Sequence, residues 1–143
     1  MNVRNLTSTD IDTPEFWHLL WLSSEYDDAK LRRVHETELP RLTIIGVWDD
    51  DVIVGFAAFK ASTHSVVLEY IAVHEAAQGK GVGGALVDEL RRRYPRASIA
   101  AQTDDDAVGF YRSLGFAVSQ APLDRRWPGR QRYDCVLPPQ SRC

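Results

Sequence analysis

Cysteine, lysine and long apolar runs are all scarce in this 143-residue chain. Only Cys135 and Cys143 are present, and the second is the last residue. A structural disulfide is therefore not expected, and a reducing cytoplasm is the expected setting. The longest apolar runs are a few residues each, far short of the roughly 20 that cross a bilayer, so no membrane partner is expected. Met1-Asn2-Val3-Arg4-Asn5-Leu6-Thr7 holds no apolar stretch of the kind that marks a secretory signal. Basic charge is not in excess: 17 Lys and Arg face 20 Asp and Glu, a formal −3, which argues against a general nucleic-acid binder. His18, His35, His64 and His74 are scattered without ligand spacing, so no metal is expected. No Ser–His–Asp or Cys–His grouping is recognisable, which argues against a covalent enzyme intermediate.

The remainder is ordinary for a globular protein, with 44% hydrophobic and 26% charged residues. No internal repeat or low-complexity linker divides it, so a single domain over residues 1–143 is expected. Residues 2–7 suit a short strand. Asp12-Thr13-Pro14-Glu15 starts a helix: a capping residue, proline in the first turn and an early acid. Phe16, Leu19 and Leu20 give it an apolar stripe, and a charged helical stretch follows from about Ala29 to Leu39, before Pro40. Two β-rich runs, 42–48 and 52–59, flank Asp49-Asp50-Asp51 as a hairpin. Residues 66–73 are apolar on both faces except at Glu69, the pattern of a central strand covered on both sides. A helix from Gly83 stops at Pro95, and residues 97–103 form a further strand. Asp104 caps a short helix with Ala107, Phe110, Tyr111 and Leu114 on its apolar face and Gly115 at its end. Two last strands, 116–121 and 132–137, enclose a loop with Arg125, Arg126, Trp127 and Arg130. The fold class is α/β, one mixed central sheet of about seven strands flanked by about four helices.

Gln78-Gly79-Lys80-Gly81-Val82-Gly83-Gly84 lies between a strand and a helix start. Glycines let the backbone approach a ligand, and successive amides with the helix dipole attract an anion, typically a phosphate. Lys80, one of only three lysines, can add a point charge. A flexible connector is the bland alternative. Gly79, Gly81 and Gly84 also satisfy G-x-G-x-x-G, with Asp104 20 residues on, as a dinucleotide site would. Residues 74–78 separate strand from glycines, however, and too little chain follows for a second mononucleotide half, so an NAD-linked reductase is the weakest reading. A triphosphate-binding loop needs Ser or Thr after the lysine, and Lys80 is followed by Gly81.

Gln78-x-x-Gly81-x-Gly83 resembles the Q/R-x-x-G-x-G/A signature of the GNAT superfamily of N-acetyltransferases. The run from Asp104 through Ala107, Phe110 and Tyr111 to Gly115-Phe116 is similar to that family's N-x-x-A-x-x-F-Y-x-x-x-G-F segment. Asp104 departs from it, standing where the family often has Asn. The resemblance covers about residues 42–121 and implies a GNAT-like domain whose two central parallel strands splay apart. It implies acetyl-CoA as co-substrate in that gap. The backbone of Ile71, Ala72 and Val73 would pair with the pantetheine arm, and the amides of Gln78, Gly79, Lys80, Gly81, Val82, Gly83 and Gly84 would hold the pyrophosphate. Asp104 and Tyr111 would complete the cofactor contacts.

The implied activity is N-acetyl transfer to a primary amine of a small molecule or peptide, by direct attack in a ternary complex. The alternative is a non-catalytic acyl-CoA-binding or regulatory module. The resemblance makes Tyr111 the acid that protonates the departing thiolate. Glu69 is the expected base, because a carboxylate on a doubly covered strand would otherwise be an unpaired buried charge; His74 or a water relay could take its place. Two patches point to different acceptors. Trp21, Ser24, Glu25, Tyr26, Asp27 and Asp28 suit a cationic amine or a solvated helix end with aromatic anchors in the core, whereas Arg125, Arg126, Arg130 and Arg132 around Trp127 suit an acidic acceptor, a coenzyme phosphate or simply a soluble loop. A homodimer is left open.

Overall fold

The structure is a computed structural model that describes residues 2–123, 125–126 and 128–140. Seven strands form one mixed sheet in the order β1-β2-β3-β4-β5-β7-β6. They are β1 (Asn2–Asn5), β2 (Thr43–Asp49), β3 (Val52–Ala61), β4 (Ser65–Val73), β5 (Ser98–Asp104), β6 (Ala117–Gln120) and β7 (Arg132–Leu137). Four helices flank it: α1 (Pro14–Ser24), α2 (Asp28–Arg33), α3 (Val82–Arg93) and α4 (Val108–Ser113). Trp127 and Cys143 fall outside the described residues.

Local chemistry accounts for the boundaries. Thr13 Oγ1 accepts the Phe16 amide at 3.3 Å and Pro14 fills the first turn of α1. Asp27 Oδ1 accepts the Lys30 amide at 2.9 Å and starts α2. The charged stretch expected as one helix to Leu39 instead ends regularly at Arg33. It passes through a π-turn (Val34–Glu38) into a 3-10 turn (Leu39–Arg41) that holds Pro40. A proline has no amide to give the preceding turn, so the regular ladder gives way before it. Gly115, at φ 92°, closes α4 in a conformation that glycine adopts without strain.

Side-chain alternation divides the core between the two faces. Val82, Leu86, Val87 and Leu90 of α3 pack on one face with Ile45, Phe59, Val66 and Ile99. Phe16, Leu19 and Leu20 of α1 pack on the other with Ile44, Phe56 and Ala72. Along β4 the alternation breaks. Ala58 of β3 pairs with Tyr70 and the adjacent Phe59 pairs with Leu68, which leaves Glu69 as the extra residue of a β-bulge. The bulge reverses the side-chain parity, so Val66 and Leu68 share a core layer with Ile71 and Val73.

β4 and β5 are parallel neighbours over a short stretch only. Ser65, Val66 and Val67 pair with Ser98, Ile99 and Ala100, and beyond them the ladder stops. The expected splay is therefore present, and it begins two residues before the bulge. Double coverage of β4 is not: Val67 is 40% exposed and Glu69 is exposed. Apolar composition does not ensure burial along the whole strand, and the divergence of β5 after Val67 removes one neighbour from the stretch that holds Glu69.

Gly55 of β3 is where strand and glycine loop meet. A Cβ there would lie 2.6 Å from Val82 Cγ1 and 3.3 Å from the Ala72 carbonyl oxygen. Gly55→Ala must therefore displace the first residue of α3, and we expect a loss of about 1–2 kcal/mol, read as a lower urea midpoint with an unchanged m-value.

Candidate active site

The gap between β4 and β5 opens into a cleft of about 730 Å³. The carboxyl-terminal half of β4, the glycine loop, the end of β5, α4, the turn after α1 and the start of β7 all line it. Of the expected site residues, Glu69, Ile71, Ala72, Val73, Gln78, Gly79, Gly81, Val82, Gly83, Gly84, Asp104 and Tyr111 are in that lining. Lys80 is the exception. It is exposed and outside the lining, because it sits on the outer side of the turn between Gly79 (φ 79°) and Gly81 (φ 83°). The amides at the start of α3 supply positive partial charge at this end of the cleft.

Gly81 caps α3 without a side-chain hydrogen bond, and the first amide to bond inside the helix is that of Ala85, to the Gly81 carbonyl at 3.0 Å. The amides of Val82, Gly83 and Gly84 thus stand at the helix start with no intrahelical acceptor, where the dipole favours an anion. Cβ atoms added at Gly79 or Gly84 would meet nothing within 4 Å. This is an open cradle rather than a packed turn, and it fits a diphosphate. The neighbouring strand edge fits an extended chain. The His74 amide bonds the Val54 carbonyl of β3 at 2.8 Å, so alternation along β4 turns the Val73 amide to the open edge. Gln78 Nε2 donates to the Val73 carbonyl at 3.4 Å, tying loop to strand.

Tyr111 is buried on α4, its ring held edge-on by Phe110 and Phe116. Burial, reinforced by Cys135 and Asp104, pushes its phenol well above the ordinary tyrosine range, so it carries its proton at any physiological pH. Cys135, which sequence spacing kept apart from every motif, is fully buried near it. Burial raises that thiol too, away from the thiolate that a nucleophile requires.

Glu69 is exposed at the bulge and faces the cleft, which removes the buried-charge reason for singling it out. An unpaired buried carboxylate would cost several kcal/mol, whereas a solvated one on a bulge needs no ion pair. His74 lies outside the lining, and its Nδ1 accepts the Ala76 amide at 3.0 Å as the cap of a 3-10 turn. The scattered histidines are partly gathered by the fold. His18 of α1 bonds Glu75 through Nε2 at 2.7 Å, and with His74 the three come within 4.8 Å of one another. The His18 bond holds the Glu75 carboxyl below its usual range.

Asp104 ends β5 rather than capping α4 directly. Its Oδ1 accepts the amides of Asp106 and Ala107, while Oδ2 pairs with Arg130 at 3.1 Å. Tyr70, which sequence reading missed, lines the cleft and donates to Glu38 Oε1 at 2.9 Å. Burial and that bond raise its phenol far above the ordinary range. Nothing in the spacing could have found a pair 32 residues apart. Of the two acceptor patches, Ser24, Glu25 and Tyr26 line the cleft, and so do Arg130 and Arg132. Lys30 Nζ lies 4.0 Å above the Tyr26 ring, the ring-face contact expected there for an ammonium. Among the described residues no helix is long and apolar enough to cross a membrane.

A model of the acetyltransferase (GNAT) family matches residues 10–116. The chain is 40% identical over 81 residues to a mycothiol acetyltransferase from Jonesia denitrificans, a match that takes in 51% of this chain and 24% of that protein. The chain thus spans about a quarter of that relative's length. Among solved structures it is similar to the ribosomal-protein-S18-alanine N-acetyltransferase of Escherichia coli, with a TM-score of 0.72, 20% identity and coverage of 99% of this chain and 95% of that one. It is also similar to an aminoglycoside 6'-N-acetyltransferase complexed with coenzyme A, with a TM-score of 0.73, 17% identity and coverage of 96% of both chains. At these identities the likenesses establish the fold.

Proposed function

The chain belongs to the acetyltransferase (GNAT) family, and from that premise we propose that it moves an acetyl group from acetyl-CoA to a primary amine of a small molecule or peptide, by direct attack in a ternary complex. One observation carries this: a helix start without a side-chain cap and the strand edge that β5 leaves beyond Val67 flank one cleft that holds a buried tyrosine. Bound acetyl-CoA supplies the acetyl group as an activated thioester.

The chain's own groups divide the remaining work. The amides of Val82, Gly83 and Gly84 hold the pyrophosphate, and the β4 edge from Ile71 to Val73 aligns the pantetheine arm as an added strand. The Val73 amide is directed to the edge where the thioester oxygen would lie and would polarise it. Amines near neutral pH are mostly protonated, so the attacking nitrogen must lose a proton. Glu69, solvated and facing the cleft, takes that proton directly or through water. His74 is less suited, since its Nδ1 lone pair is engaged by the Ala76 amide. Tyr111 gives its proton to the departing sulfur. Its hydroxyl has no hydrogen-bond partner among the described residues, so the proton is not committed elsewhere.

The test is calorimetric titration with acetyl-CoA beside a thiol-release screen over amino acids, peptide N-termini, polyamines and aminoglycosides. Saturable binding and release that depends on one class of amine is the expected result. No binding at millimolar ligand overturns the proposal, and binding without release to any amine leaves an acyl-CoA-binding module.

A further inference from the structure

Two charge patches that are far apart in sequence share one cleft. Glu25, Glu69 and Tyr26 are in its lining together with Arg130 and Arg132. Tyr26 lies in the same lining, with Lys30 Nζ 4.0 Å above its ring. Its phenol is pushed up by burial and by Glu38, and pulled down by Arg132 and Arg126. An acceptor in this cleft meets the carboxylates of Glu25, in the turn after α1, and Glu69, at the β4 bulge, and the guanidinium groups of Arg130, in the β6–β7 connection, and Arg132, at the start of β7. Resting on the acetyl-transfer reading above, we propose that the acceptor is zwitterionic, carrying an oxyanion, carboxylate or phosphate, in the same molecule as the amine that is acetylated.

The donor inventory supports this. A guanidinium has five N–H donors in a planar fork that matches an oxyanion. Asp104 engages the Nη1 group of Arg130, which is 55% exposed and keeps donors for a second partner. Arg132 is half-buried in the wall and has interactions of its own, so its charge sits in a less hydrated place than a surface arginine's. Carboxylates at Glu25 and Glu69 favour the incoming ammonium, and both are exposed, so neither binds the cation by burial alone. An acceptor with cationic groups only, such as a polyamine or an aminoglycoside, would set a positive charge beside the arginines. One with a single amine and no anion would leave the arginine side unmatched.

The experiment measures acetyl-CoA-dependent thiol release with ω-amino acids of increasing chain length, each beside its carboxamide, its ω-aminoalkylphosphonate and a diamine of equal length. An oxyanionic acceptor of one length is expected to exceed its carboxamide and the diamine by about tenfold or more in kcat/KM, the factor that one charge-assisted contact supplies. Carboxylate and phosphonate arms distinguish the source of the anion, and preference for either supports the proposal. Arg132→Gln should raise KM for that acceptor about tenfold and shrink its preference over the carboxamide by the same factor. Arg130→Gln, at the more exposed position, gives the same readout should the Arg132 variant fold poorly. Equal use of acid and carboxamide, or preference for the diamine, overturns the proposal. Failure of every acceptor here with release in the broader amine screen overturns the zwitterion proposal alone, and failure in both overturns acetyl transfer itself.

Discussion

Tyr111→Phe is expected to lower kcat by about 10²-fold while the acetyl-CoA dissociation constant stays within about twofold. The substitution removes one oxygen and keeps the ring that packs edge-on against Phe110 and Phe116, so the α4 wall of the cleft should hold its shape. Stability should not fall, since no described residue loses a hydrogen bond to that oxygen. A thiol of pKa about 8.5 is a tolerable leaving group unaided, so activity should drop and not vanish. The pH dependence follows from burial. The folded phenol lies above the ordinary value of about 10 and remains an acid through the whole working range, so Tyr111 should add no falling limb to kcat below pH about 10. Linkage has the opposite consequence above that pH. The unfolded chain releases the proton and the buried phenol does not, so wild-type stability should decline there, and Tyr111→Phe should remove that part of the decline. Equal turnover of the two proteins would take Tyr111 out of the chemistry.

The elements were legible wherever the information is local. Thr13-Pro14, Asp27 and Gly115 act on their immediate neighbours, and the helices begin or end where those residues put them. The glycine loop was legible for the same reason, because an αL glycine and an uncapped helix start are properties of a few consecutive residues. What could not be read is what depends on how two strands meet. Glu69 was picked from the composition of its own strand, yet its exposure comes from the bulge against Ala58 and Phe59 and from the departure of β5. Its place in the cleft survives, for a different physical reason. Lys80 lies in the loop, as the point charge and the implied amide contact require, yet its side chain is exposed and outside the lining, between two glycines of positive φ. The His18–Glu75 bond spans 57 residues and the Arg130–Asp104 pair 26, and no periodicity encodes either. The two acceptor patches share one cleft through topology, which neither patch's own sequence encodes.

Gly84→Ala followed by Gly84→Leu should separate folding from binding. Position 84 lies in the first turn of α3, its φ is not in the left-handed region, and a Cβ there meets nothing within 4 Å. Alanine is a better helix former than glycine by about 0.5–1 kcal/mol and reduces the freedom of the unfolded chain, so Gly84→Ala should raise the denaturation midpoint. The methyl is nevertheless added to the cleft lining at the helix start, where the proposed pyrophosphate site lies. Hydrogen bonds to a charged group contribute about 1.5–3 kcal/mol each, and one lost contact corresponds to about tenfold in affinity. Gly84→Ala is therefore expected to weaken acetyl-CoA about tenfold, and Gly84→Leu, which fills the cradle with four carbons, by at least about 10²-fold. Thermal unfolding and calorimetry on the same samples read the two effects independently. Tight acetyl-CoA binding by a well-folded Gly84→Leu protein would mean that the diphosphate is held elsewhere, and the assignment of the α3 amides would fall with it.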